Sequence, residues 1–301
     1  MSAPDFEPVA RLVERLAVLT GAGIAPLSAW RHAAAEGAPA EAQRVVAGLD
    51  SAHELPDRLA QVAVSARGPE RSAWAVLAAT WWIATDAGAA LSATLTRSAE
   101  VLRGLAQGAR EVEVALAGPT ATSRVVLALP AVGLALGGLL GFDVIGALAT
   151  PPGAICVAVG GILILAGVRW NRRLIRAARE LDATPGLAFE LFAVALAGGA
   201  SIDRARQLVA TACAEAGLDP PDDTVDAVLA FARDAGVPAV VLLRSEAHGR
   251  RRTARALAAR RAAELETRML LPLGLCVLPA FVLLGVVPIA IAIVSSTVID
   301  A

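Results

Sequence analysis

Two long stretches of this 301-residue chain are almost free of charged side chains. Residues 125–168 hold one charge, on Asp143, and residues 269–299 hold none, although 18% of the whole sequence is charged. About 20 consecutive apolar residues are needed to cross the ~30 Å hydrocarbon core of a bilayer. The pattern therefore predicts that both stretches lie in a membrane.

The first apolar stretch is long enough for two spans. It is divided by residues that are typical of turns, namely Asp143, Thr150, Pro151, Pro152 and Gly153. We expect a transmembrane hairpin with helices near Val125–Phe142 and Ala147–Val168, and a third span from about Met269 to Val294.

The two remaining segments are polar and have the periodicity of amphipathic helices. Between Glu7 and Pro119 this periodicity is interrupted only at short sites rich in Gly, Pro and Asp, and no alternating run of β-branched residues predicts a strand. The interruptions are at 21–26, 37–39, 50–56, 68–69 and 86–88. The pattern predicts an all-α protein whose polar segments form helical bundles.

One helix of the first polar segment is apolar nearly all round. Ser72–Thr85 lies between the charged residues Arg71 and Asp86, and it is short for a membrane span but fits a buried core helix. A span is the alternative that this composition leaves open, and we favour the core helix. In the next helix, from Ala90 to Leu116, apolar residues recur every three or four positions. We expect this helix to lead into the first span.

The basic residues indicate which segments face the cytoplasm. All 27 are arginine; 11 lie in residues 1–124 and 16 in residues 169–268. Because basic segments stay on the cytoplasmic side of a membrane, we expect the N-terminus and both polar segments in the cytoplasm and the C-terminus outside. The net charge of −1 gives no global attraction to nucleic acid.

No group of residues predicts catalysis, a cofactor or a metal. His32, His53 and His248 lack the spacing of metal ligands. The sequence also lacks a Gly-x-x-x-x-Gly-Lys-Ser/Thr loop for nucleotide phosphates. The three cysteines are expected to pack as small apolar side chains: Cys156, Cys213 and Cys276.

An arginine cluster in the second polar segment is a candidate docking surface. It contains Arg250, Arg251, Arg252 and Arg255, which could contact an acidic surface of a partner protein or anionic lipid. Plain positive-inside anchoring explains the same residues, and both interpretations stay open.

A few residues of the apolar stretches are also candidates. An intramembrane acid is a functional candidate, but the place of Asp143 at the turn favours a hydrated polar residue. Pro130, Pro279 and Pro288 remove helix hydrogen bonds and are candidate kinks. Small residues allow helices to approach closely, either within the hairpin or between copies: Gly133, Gly137, Gly138, Gly141, Gly160, Gly161 and Gly167.

An internal repeat relates the two polar segments. Two segments of the first half match two segments of the second half at one constant spacing: Glu14–Val18 matches Glu190–Val194, and Gly23–Ala29 matches Gly199–Ala205. We call this spacing, which takes position 14 to 190, the long offset. Asp86–Gly88 then matches Asp234–Gly236 at a smaller spacing, the short offset, which takes position 86 to 234. Leu129–Ala131 matches Leu278–Ala280 at a spacing one residue longer than the short offset. The second copy is therefore shorter by about one helix and its turn. The repeat predicts turns or shared kinks, with common ancestry as the alternative for the kinks, at Gly23, Asp86, Gly88, Pro130, Gly199, Asp234, Gly236 and Pro279.

This order of motifs resembles the type II secretion system F domain family, found in platform proteins of type II secretion, type IV pili and tight-adherence (Flp) pili. The resemblance covers about Arg11 to Val294, looks closest to the TadB/TadC branch, and depends on Leu19–Ala29, Asp86–Gly88 and Arg110–Pro119. Many stand-alone members have an N-terminal span that this sequence lacks, and its second domain is shortened. Both departures leave the topology and the choice of partner open.

The resemblance implies a non-enzymatic platform protein in the bacterial cytoplasmic membrane. Such proteins bind a hexameric cytoplasmic ATPase, help to lift pilin or pseudopilin subunits from the bilayer, and associate with themselves or another F-type subunit. The expected domains are a helical domain at 1–119, the hairpin at 120–168, a second helical domain at 169–268, and the third span with a short tail at 269–301.

Other classes of membrane protein are the alternatives. A small transporter needs polar or broken helices around a midplane site, and an enzyme needs converging catalytic groups. The predicted spans offer neither, whereas a non-catalytic anchor or scaffold fits the same composition.

Overall fold

The computed structural model describes residues 5–35, 37–68, 70–139, 151–179, 184–221, 223–287 and 290. Helices occupy most of these ranges, and no strand occurs in them. The prediction of an all-α protein is confirmed.

The chain forms two compact units. The first comprises Met1–Glu111 with Asp182–Ala256, and the second comprises Val112–Leu181 with Leu257–Ala301. Both polar segments of the sequence therefore contribute to the first unit, where they share one hydrophobic core. The division into four domains expected from the sequence stays a prediction.

The first polar segment forms a series of short helices followed by a long one. They are α1 (Glu7–Gly21), α2 (Pro26–Ala33), α3 (Ala40–Val46), a 3₁₀ turn (Ala52–Glu54), α4 (Leu55–Ser65), α5 (Arg71–Asp86) and α6 (Leu91–Leu139). The predicted interruptions fall at the ends of these helices or between them, which confirms them. Pro26 and Pro56 lie in the first turns of α2 and α4, where a missing N–H breaks no helical bond.

Helix α5 is at the centre of the first unit. Trp74 and Trp81 are almost fully buried, and the ring of Trp81 meets that of Trp30 edge-to-face at 5.7 Å. The hydroxyl of Thr80 donates to the carbonyl of Val76 at 2.7 Å, so its polar group is satisfied within the helix. The expectation of a buried core helix is confirmed.

The rest of the chain supplies the remaining long helices. They are α7 (Pro151–Arg179), α8 (Leu187–Ala197), α9 (Ile202–Ala216), α10 (Thr224–Ala235) and α11 (Ala239–Arg268). Helices α8 and α9 pack against α5 and close the core that the first polar segment begins.

The sequence places Pro151–Gly153 both among the turn residues and inside the second hairpin helix, near Ala147–Val168. The structure supports the helix, because these residues form the first turn of α7. Proline is favoured at the first helical position because its φ is already helical and the N–H there would be unpaired in any case. Asp143 and Thr150, the other members of the expected turn, lie outside the described residues.

Two helices are longer than the periodicity predicts. Helix α6 continues past Leu116 to Leu139, through Pro119, and α7 continues past Val168 to Arg179. A proline removes one intrahelical hydrogen bond, and the neighbouring bonds are enough to carry α6 across Pro119. The expected domain boundaries at 119 and 168 thus fall inside helices.

Two described helical stretches are long and apolar enough to cross a membrane. They are Gly153–Ala177 and Ala239–Val286, and they include most of the second and third spans that the sequence predicts. The first predicted span covers the end of α6 and residues 140–142, which lie outside the described residues. Three spans stay a prediction.

Glycines of α7 allow close packing within the second unit. A Cβ atom on Gly160 would lie 2.6 Å from Cγ of Leu284, and one on Gly167 would lie 3.2 Å from Cβ of Cys276. Because small residues let helices approach closely, these two glycines serve the contact between α7 and the last apolar segment of the same chain. A Cβ on Gly161 would meet no atom within 4 Å.

Candidate functional site

A buried ion pair lies where α8 and α11 meet in the first unit. Nη2 of Arg251 is 2.8 Å from Oε1 of Glu190, and the two side chains are only 8% and 6% exposed. Burial strengthens the attraction between the charges but removes both from water. Each partner therefore supplies the counter-charge that the other needs inside the protein.

The local sequence explains how Glu190 comes to be buried. Helix α8 is apolar on almost every side apart from this residue, and most of its side chains belong to the core. It begins after Gly186, whose φ is +76°. A Cβ atom on Gly186 would lie 2.7 Å from the carbonyl oxygen of Ala247, so the glycine lets α11 approach the start of α8.

Other arginines of α11 hold the helix in place around this pair. The guanidinium of Arg250 lies 5.4 Å from the centre of the Phe189 ring, within the range of a cation–π interaction. Nη2 of Arg255 donates to the carbonyl oxygen of Gly104 on α6 at 2.7 Å. The cluster thus contacts two neighbouring helices.

The expectation that four arginines form one docking surface needs correction at Arg251. Its side chain is inside the unit and is bound to Glu190, whereas Arg252 is exposed. Successive residues of an α-helix point about 100° apart, so a run of arginines cannot share one face. The docking interpretation stays a prediction for Arg250, Arg252 and Arg255.

The four glycines of the expected turns have the left-handed conformation that favours glycine. The φ angles are +84° at Gly23, +72° at Gly88, +93° at Gly199 and +67° at Gly236. Each lies just after the end of a helix. Such a glycine commonly ends a helix because it lacks a Cβ atom.

The two aspartates beside these turns have different partners. Oδ2 of Asp86 accepts a hydrogen bond from Nη2 of Arg204 at 2.6 Å, whereas Asp234 is 3.5 Å from its neighbour Arg233. All four side chains are partly exposed, and ion pairs of this kind contribute about 0–1 kcal/mol. The aspartates therefore contribute little stability.

Two of the three prolines expected at kinks lie in helical segments, and the third, Pro288, lies outside the described residues. Pro130 lies within α6. Pro279 lies in the short helix Leu278–Phe281, between π-helical stretches at Leu273–Val277 and Val282–Val286. Regular α-helical bonding is therefore interrupted on both sides of Pro279, which is the kind of site where helices bend.

No described residues form a group of three or more His, Cys, Asp and Glu side chains that could hold a metal ion. The thiol of Cys213 is buried among core residues, and burial raises its pKa to about 11. It is therefore protonated at neutral pH and unreactive, in agreement with a packing role.

Sequence reasoning did not assign four polar residues to this site. Glu190, Arg97, Glu100 and His248 line the same cavity as Arg251. A signal for Glu190 was present, because one carboxylate in the apolar run Leu187–Ala197 requires a buried cation. Nothing in the sequence indicated which arginine supplies that charge.

The chain was compared with protein-family models, with curated proteins and with solved structures, and none of the three comparisons found a match.

Proposed function

We propose that the chain is a platform protein of a pilus-assembly or type II-type secretion system in the bacterial cytoplasmic membrane. In this role it connects a cytoplasmic hexameric ATPase to the extraction of pilin or pseudopilin subunits from the bilayer. The observation that carries the proposal is that an ion pair and two turns recur at the offsets of the sequence repeat. The order of these features resembles the duplicated F domain.

The first turn recurs with the same hydrogen bonds. The amides of Gly23 and Ile24 donate to the carbonyls of Thr20 and Leu19, at 3.1 Å in both cases. At the long offset, the amides of Gly199 and Ala200 donate to the carbonyls of Leu196 and Ala195, at 3.1 and 3.2 Å. The flanking helix ends are related by the same offset, since α1 ends at 21 and α8 at 197. This agreement supports a duplicated unit.

The second turn recurs at the short offset. The amide of Ala89 donates to the carbonyl of Ala84 at 2.9 Å, and the amide of Val237 donates to the carbonyl of Ala232 at 3.0 Å. Helices α6 and α11 begin directly after these turns, and their first positions, 91 and 239, are also related by the short offset. The change of offset is thus located between the two turns.

The ion pair also recurs, and it joins corresponding helices. Glu14 of α1 pairs with Arg103 of α6, and Glu190 of α8 pairs with Arg251 of α11. The two glutamates are related by the long offset and the two arginines by the short one. The two glutamates belong to one of the matches from which the repeat was inferred, whereas the two arginines lie outside those matches, so the arginine partners add to the evidence for it.

The long helices suit a protein that transmits movement. Helices α6 and α11 each begin in the first unit and contain residues of the second, and α11 continues into an apolar stretch able to cross a bilayer. A helix is stiff along its axis, so displacement at one end can reach the other. With the arginine distribution, this favours cytoplasmic helical bundles and an external C-terminus.

Energy for the process must come from a partner. The sequence contains no lysine and no phosphate-binding loop of the P-loop type. The partners we propose are therefore a secretion ATPase, pilin or pseudopilin subunits, membrane lipid, and a second F-type subunit or copy of this chain.

Co-purification with the motor tests the proposal. The full chain, tagged and extracted from native membranes in mild detergent, should retain a secretion ATPase of hexameric class. The interaction should weaken as the salt concentration is raised, because exposed charges are screened. A test variant is purified in the same way after Arg250 and Arg252 are replaced by glutamine. This replacement should reduce ATPase recovery. Recovery of a transport substrate-binding protein, with no ATPase of the secretion class, would contradict the platform role.

A further inference from the structure

The first unit contains a charged cavity of about 330 Å³ beside the buried ion pair. Its walls come from α6, α8 and α11, and its charged side chains are Arg97, Glu100, Glu190, Arg251, Arg252 and Arg255. The volume is at the lower end of the range for small-ligand pockets. It is large enough for a headgroup or a small metabolite.

The walls of the cavity carry an excess of positive charge. Four arginines face two glutamates, and each glutamate is already bonded to one arginine: Glu100 to Arg97 at 3.0 Å and Glu190 to Arg251 at 2.8 Å. Arg255 is 3.8 Å from Glu111, a longer contact. Among the described residues no ion pair involves Arg252, which is exposed. The cavity therefore attracts an anion.

The buried pair has unused hydrogen-bonding capacity on both partners. Nη1 of Arg251 finds no acceptor, and Oε2 of Glu190 finds no donor, among the described residues. An unpaired buried donor of a charged group is costly, and these two side chains are more than nine-tenths buried. A ligand that both accepts from Arg251 and donates to Glu190 would satisfy both atoms.

We propose that this cavity binds a phosphate ester whose alcohol group carries a further hydroxyl near the phosphate. Guanidinium groups match the oxygens of phosphate because their N–H bonds are arranged as a planar fork. The phosphate contacts Arg251 and Arg252, and the hydroxyl donates to Glu190. The same chemistry is offered by the headgroup of phosphatidylglycerol and by free glycerol 3-phosphate. This proposal does not depend on the platform role.

Calorimetric titration tests binding of the free ligand. The full chain in dodecyl maltoside is titrated with sn-glycerol 3-phosphate and, separately, with inorganic phosphate, against sodium chloride at matched ionic strength. We expect saturable binding of glycerol 3-phosphate, weakened about tenfold or more by Arg252→Gln, since a hydrogen bond to a charged group is lost. Arg233→Gln, at an exposed arginine of α10 away from the cavity, should leave the affinity within twofold.

Reconstitution tests the lipid as the source of the phosphate. The chain is placed in nanodiscs of phosphatidylcholine alone or of phosphatidylcholine mixed with phosphatidylglycerol, and its melting temperature is measured. A rise with phosphatidylglycerol that Arg252→Gln removes and Arg233→Gln retains would support the site and assign it to the headgroup. If neither probe binds, or if Arg252→Gln and Arg255→Gln leave binding of both unchanged, the proposal is wrong.

Discussion

Replacing Glu190 by glutamine should lower the free energy of unfolding by about 3–5 kcal/mol, the range for removing one partner of a buried ion pair. The substitution keeps the shape of the side chain but leaves the charge of Arg251 buried without a counter-charge. Urea unfolding of the full chain in detergent, followed by tryptophan fluorescence, measures the change. Trp30, Trp74 and Trp81 are buried in the same core, so they report on this unit.

The corresponding pair in the first half provides a matched control. Glu14 and Arg103 are 37% and 50% exposed, and exposed pairs contribute about 0–1 kcal/mol. Glu14→Gln should therefore lower the stability by less than about 1 kcal/mol. The double change Glu190→Leu with Arg251→Met should recover most of the loss, because it removes both buried charges. Equal small effects of Glu14→Gln and Glu190→Gln would contradict the burial of the second pair.

Replacing Gly186 by alanine should destabilise the protein by about 2–4 kcal/mol, for two separate reasons. A φ of +76° costs a residue with a Cβ atom about 1 kcal/mol. The new Cβ would also lie 2.7 Å from the carbonyl oxygen and 2.9 Å from Cα of Ala247. These are backbone atoms of a packed helix, and overpacking of this kind costs about 1–3 kcal/mol.

Two other glycines separate these effects. Gly236 has a φ of +67° but no atom within 4 Å of an added Cβ, so Gly236→Ala should cost only the conformational term of about 1 kcal/mol. Gly249 lies within α11 with open space around it, and Gly249→Ala should stabilise the helix by up to about 1 kcal/mol. Chemical denaturation of the three variants gives the order. A Gly186→Ala variant as stable as Gly236→Ala would show that α8 and α11 are not in close contact there.

The local pattern of the sequence predicted much of the fold. Helix interruptions followed from Gly, Pro and Asp, since each residue acts through its own backbone conformation. The burial of Ser72–Thr85 followed from its composition and length. The same local reasoning placed Pro151–Gly153 in both the turn and the following helix, because a Pro-Pro-Gly sequence is compatible with both a turn and a helix start.

The candidate site depended on contacts that no local pattern contains. Arg251 looked like a surface residue because it lies in a run of arginines, and its burial depends on the position of Glu190, far earlier in the chain. The close approach at Gly186 likewise requires Ala247 of another helix. The repeat predicted that the two polar segments are alike, but similarity does not indicate that they pack into a common core.

The amount of pilin or pseudopilin at the cell surface tests the platform role most directly. It is measured in the native bacterium after deletion of the gene for this chain and after its return on a plasmid. The account predicts that deletion removes the surface subunits while their processed forms accumulate in the cytoplasmic membrane, and that the returned chain restores export. Unchanged surface subunits in the deletion strain would contradict the proposed function.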